Sequence, residues 1–112
     1  MSELTELVTE IKEIKEKLNT DRKEYLELEK SKEKEERDIK LEIVFNKELK
    51  NKEQRDIMME KKLSESKEVI KKKKEITDLH YNIKKTEIEV EYLERIYKIE
   101  IENLKNLAYY KE

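Results

Sequence analysis

The sequence predicts an all-α chain: a long antiparallel helical hairpin, coiled-coil in character, with a short helix at the bend, assembling into an oligomeric helical bundle. Three observations predict it. The 112 residues include no Gly and no Pro, the usual punctuation of hairpins and tight turns, which removes almost every sheet-based fold. Half the chain is charged, Lys+Arg 27 against Asp+Glu 29, yet the net charge is only −2, a composition typical of long solvated helices. Apolar residues recur at heptad spacing over long stretches.

The first helix is expected over about 3–46. Leu4, Leu7, Ile11, Ile14, Leu18, polar Asp21, Tyr25 and Leu28 alternate steps of three and four. The pattern is expected to fail between Glu29 and Asp38, where no apolar residue occurs, and to resume at Ile39. Ile39, Leu41, Ile43 and Phe45 alternate as a strand would, but an isolated strand has no partner, so a helix with a broad apolar face is preferred. The middle helix is expected over about 52–63, with Asn51 as its N-cap and Gln54 reaching back from the N3 position. Asn46 and Asn51 are also the best left-handed residues available without Gly. The third helix, about 67–110, follows a weak point at Ser64-Glu65-Ser66. Val69, Ile76, Ile83, Val90, Tyr97 and Leu104 recur every seven residues, and Leu79, Leu93 and Leu107 supply the second seam position of three heptads. The outer helices have similar lengths, so they can fold back on one another. The rival arrangement is one unbroken helix of roughly 165 Å in a parallel dimer. Either way, residues 1–112 form one helical domain.

The inventory excludes several function classes. Without Cys there is no disulfide or thiolate chemistry, and the lone His80 cannot form a His-pair metal site. Without Gly, the usual phosphate loop, dinucleotide fingerprint and nucleophile elbow cannot be built. No metal, no cofactor, no small-molecule substrate and no enzymatic activity are expected, and the many paired carboxylates read as a solvated face. No apolar run approaches the roughly 20 residues of a membrane span. The N-terminal MSELTELVTE lacks the basic and apolar regions of a leader, so a cytoplasmic protein without membrane contact is expected. His80 is expected to sit in a polar layer opposite 29–38, fixing register.

Charge is uneven. Residues 1–46 carry 10 basic and 14 acidic side chains, 47–86 carry 13 and 8, and 87–112 carry 4 and 7. Lys61, Lys62, Lys67, Lys71 and Lys74 in the basic segment are therefore the candidate contacts to nucleic-acid phosphates. The chain has 23 Lys against 4 Arg, which argues against specific base readout. Tyr109 and Tyr110 are further candidates for base stacking or a partner contact. The apolar faces exceed one seam, so self-association into a dimer or higher oligomer is expected, through Phe45, Ile76, Ile83, Val90, Tyr97 and Leu104.

The bend also carries a resemblance. Lys50-Asn51-Lys52-Glu53-Gln54-Arg55, then an amphipathic turn through Ile57, Met58 and Leu63 and a long Glu/Leu helix, resembles small bacteriophage-encoded helical proteins with a Lys-Asn-x-x-x-Arg element between two long helices. It covers about 39–107, with Asn51 and Arg55 the distinctive residues; where those proteins have an acidic-aromatic pair, this chain has Ser64-Glu65-Ser66. The resemblance implies an accessory of DNA replication or recombination in the host cytoplasm, similar in outline to mediators that load a recombinase on single-stranded DNA. Its partners would be itself, single-stranded DNA or a replication or recombination protein. The residues alone give Asn51 a capping role and Arg55 a bridge to Glu48 or to a carboxylate of the other arm. The alternative function is a coiled-coil interaction module, an adaptor, scaffold or inhibitor of a host protein, without nucleic-acid contact.

Overall fold

The computed structural model describes residues 3–46 and 48–111, with side chains through residue 108. The described residues are helical almost throughout, in the order α1 (Glu3–Val44), α2 (Lys52–Glu65) and α3 (Lys67–Lys111), with no strand among them. The alternating run from Ile39 lies in the last turns of α1, with Phe45 just beyond the helix: Ile43 is buried, whereas Leu41 and Phe45 face solvent.

Local hydrogen bonding explains each boundary. α1 closes with a tightened turn, the Asn46 N–H donating to the Ile43 carbonyl at 3.1 Å. The Asn46 side chain then accepts the Glu48 N–H at 2.9 Å, an Asx turn that leads the chain away from the helix axis. Asn51 caps α2, its Oδ1 accepting the Gln54 N–H at 2.8 Å, and Gln54 Oε1 accepts the Lys50 N–H at 3.0 Å. The reciprocal bond therefore reaches one residue beyond the cap itself. The expectation of left-handed asparagines is not met: no described residue has positive φ, and Asn51 is extended at φ −138°. Side-chain capping does what backbone inversion would have done.

The break between α2 and α3 is a single residue. Ser66 donates its N–H to the Lys62 carbonyl at 2.9 Å, closing α2. Its Oγ accepts the Val69 N–H at 3.3 Å and its carbonyl accepts the Ile70 N–H at 3.0 Å, opening α3. Ser64 has no capping role, because its hydroxyl donates back to the Lys61 carbonyl inside α2. α2 thus runs on to Glu65, two residues past the expected end.

Internal contacts divide the chain into two units, Met1–Arg22 with Tyr81–Glu112, and Lys23–His80. In the first, Leu18, Ile83, Val90 and Leu93 are buried, together with Thr86, whose hydroxyl donates to the Asn82 carbonyl at 2.9 Å. Lys15 pairs with Glu94 at 3.0 Å and Arg22 with Glu87 at 3.4 Å. In the second, Ile43 and Val69 are fully buried, and Lys62 pairs with Glu42 at 2.6 Å and Lys72 with Glu35 at 3.5 Å.

The charged stretch of α1 does not interrupt its seam. Lys32 and Glu35 fall four and seven residues after Leu28 and are half-buried, continuing the three-four spacing. Side chains of this kind can bury their aliphatic stems while keeping the charge accessible, and here the charges are paired, Lys32 with Glu36 at 3.6 Å and Glu35 with Lys72. His80 is not opposite 29–38. Its ring lies 5.8 Å from that of Tyr25, and the residue is exposed.

Candidate nucleic-acid interface

The five candidate lysines fall in the second unit, on the last turns of α2 and the first turns of α3. Helical geometry puts Lys67, Lys71 and Lys74 on one side of α3, at steps of four and three, while Val69, Lys72 and Ile76 form the opposite side. Burial agrees: the first three are exposed, Val69 is buried, and Lys72 and Ile76 are half-buried. Lys61 is exposed near the end of α2. Among the described residues no carboxylate lies within ion-pair distance of Lys61, Lys67, Lys71 or Lys74. Lys62 differs. It is half-buried and bound to Glu42, so it faces its own chain.

Lys72 is the residue whose role the sequence reading missed. It occupies the second seam position three residues after Val69, where an apolar residue is usual, and its side chain is only 17% exposed. Thr86 fills the equivalent position two heptads later. Counting the heptad through the polar residues would have found both.

At the bend, Asn51 has its capping role, while Arg55 is half-buried and makes no ion pair among the described residues. Its N–H donates to the Asn51 carbonyl at 3.2 Å, as the first intrahelical bond of α2. The residues expected to form an oligomer interface divide by burial. Ile83 and Val90 are buried inside the single chain, Ile76 and Tyr97 are half-buried, and Phe45 and Leu104 are exposed, Phe45 by 77%. The side chains of Tyr109 and Tyr110 lie outside the described residues.

Two open grooves lie in the first unit. One, of about 310 Å³, is lined by Leu18, Val90 and the Lys15–Glu94 and Arg22–Glu87 pairs. The other, of about 370 Å³, includes Val8, Ile11 and Tyr97. A side-chain hydrogen bond to Glu29 raises the pKa of Tyr25 above the usual 10.0, with desolvation and the Glu29 charge adding to the effect. No group of three or more His, Asp or Glu side chains among the described residues is placed to hold a metal ion. Among the described residues no helix is long and apolar enough to cross a membrane. Compared with family models, with curated proteins and with solved structures, the chain matches none.

Proposed function

We propose that this chain is a non-enzymatic accessory protein of phage DNA replication or recombination, cytoplasmic in the host, which self-associates and binds single-stranded nucleic acid weakly and without sequence preference. The carrying observation is the set Lys61, Lys67, Lys71 and Lys74: exposed, on contiguous turns, and without an ion-pair partner among the described residues. Such cations exchange their counterions for phosphate, an attraction that needs no enclosed pocket. The net excess of acid outside residues 47–86 repels phosphate and leaves this segment as the place of contact.

The scaffold in this reading is an antiparallel hairpin. The ion pairs support it, because within each unit the partners run in opposite chain order: 15 with 94 and 22 with 87, then 35 with 72 and 42 with 62. Self-association is supported by the thinness of the core. Among the described residues six apolar side chains are buried, whereas thirteen large ones are exposed.

The test is retention of single-stranded DNA at low salt by the full chain. Replacing Lys67, Lys71 and Lys74 with Glu is expected to abolish retention and to leave helicity and mass unchanged. Unaltered affinity after that replacement would overturn the reading. The interaction-module alternative keeps one observation in its favour: residues 23–80 carry 17 basic and 16 acidic side chains, so the surrounding unit is nearly neutral.

A further inference from the structure

Beyond the lysine face, α3 carries a second apolar stripe that its own chain does not cover. Tyr81, Ile88, Tyr92 and Ile99 are separated by seven, four and seven residues, which places them along one side of the helix, away from buried Ile83, Val90 and Leu93. They are exposed by 69%, 68%, 62% and 58%. Four large side chains at heptad spacing constitute a seam, and a seam is buried by another helix.

Charge along the stripe identifies the occupant. The intervening seam positions hold Lys85 and Arg95, and the next one beyond Ile99 holds Glu102, all exposed. In a parallel pair of identical helices each would meet its own copy, lysine on lysine and arginine on arginine, which is repulsive. An antiparallel pair centred between Leu93 and Glu94 removes every one of these clashes. Ile88 then opposes Ile99 of the second copy, Lys85 opposes Glu102, and Tyr92 opposes Arg95, each relation occurring twice about the two-fold axis. Lys85 and Glu102 have no ion-pair partner in their own chain among the described residues, so the exchange satisfies both. Arg95 stays paired with Glu91 at 2.9 Å while its guanidinium meets a tyrosine face. We infer that the Tyr81–Ile99 face of α3 docks antiparallel on the same face of a second copy of this chain, in the register that sets Ile88 against Ile99.

The inference rests on the self-association reading and specifies its surface. Its test is the solution mass of the full chain at micromolar concentration, by light scattering. The wild type is expected at the mass of two chains. Ile88→Glu and Ile99→Glu are each expected to return it to one chain with unchanged far-ultraviolet circular dichroism, because both positions are exposed in the single chain. Lys85→Glu and Glu102→Lys should each shift the mass toward one chain, and combining them should restore two. Since the chain has no cysteine, mixing Ile88→Cys with Ile99→Cys should give a disulfide between the two variants, whereas Ile88→Cys alone should not crosslink, its copies lying roughly 16 Å apart along the axis.

A wild-type mass of two chains that survives both Ile→Glu changes would overturn this surface and leave self-association standing. A wild-type mass of one chain would overturn both, leaving DNA retention to be judged separately. Failure of the double charge exchange to restore the mass, or self-crosslinking of Ile88→Cys, would overturn the register.

Discussion

The part of α3 in the Lys23–His80 unit and the part in the other unit follow the same seven-residue period but use it differently. From Lys67 to His80 the inner seam is mixed, with Val69 buried, Lys72 tied to Glu35 and Ile76 half-buried, and the outer face presents Lys67, Lys71 and Lys74. From Tyr81 onward the inner seam is mostly apolar, with Ile83, Val90 and Leu93 buried around the small polar Thr86, and the outer face presents Tyr81, Ile88, Tyr92 and Ile99. The period fixes which residues face inward. The residues left outside differ in chemistry: cations along the first stretch, large apolar side chains along the second, and the two proposals follow that difference.

This contrast can be broken at either seam. The largest effect is expected at the fully buried positions. Ile43→Ala should destabilise the chain by about 2–5 kcal/mol, since it leaves a cavity where one of the most deeply buried side chains was. Leu93→Ala in the apolar seam should fall in the same range of about 2–5 kcal/mol. Urea midpoints measured on both would compare the two seams directly. A cost below 1 kcal/mol at Ile43 would show that the mixed seam is not a packed one.

Caps come next. Asn51→Ala and Ser66→Ala should each cost about 0.5–2 kcal/mol, typically about 1, because each leaves helix N–H groups without their acceptor. Thermal unfolding followed by circular dichroism would measure both. Replacing Lys72 and Glu35 together with Met should change stability by no more than about 1 kcal/mol, since a partly exposed pair contributes little beyond its stems.

The helices, their order and most of their boundaries were legible in the sequence, because Asn51 and Ser66 are strong capping residues standing before heptad runs. Three features were not. The continuity of the α1 seam through 29–38 was hidden, although the helix itself was expected to run through it, because the seam residues there, Lys32 and Glu35, are charged, and an apolar pattern does not count aliphatic stems. The same reason concealed Lys72. The position of His80 depended on helix pairing: a shift along α1 of one or two turns exchanges a polar layer for Tyr25, and composition does not distinguish them. At the candidate interface the lysines were visible, but the loss of Lys62 to Glu42 required the pairing as well.

The smallest predicted effect concerns pH. Tyr25 holds its proton more tightly in the folded chain than in the unfolded one, chiefly through its hydrogen bond to Glu29. Its contribution to stability is therefore fully present below the ordinary tyrosine pKa of 10.0 and declines as pH rises through the raised value. Glu29→Gln should bring the Tyr25 titration back toward the ordinary value, read as the difference in phenolate absorbance between each protein and its Tyr25→Phe counterpart. An unchanged titration would remove Glu29 as the cause.

The measurement that bears most directly on the two uses of α3 is the salt dependence of single-stranded DNA binding, followed by fluorescence anisotropy. Four engaged lysines predict a log–log slope of about −2 to −3, and replacing Lys67, Lys71 and Lys74 with Glu should remove measurable binding even at low salt. Ile88→Glu, on the other stretch of the same helix, should leave the slope of each bound chain unchanged. Wild-type binding that is absent at low salt, or a slope indifferent to the three lysines, would contradict the assignment of anions to the first stretch.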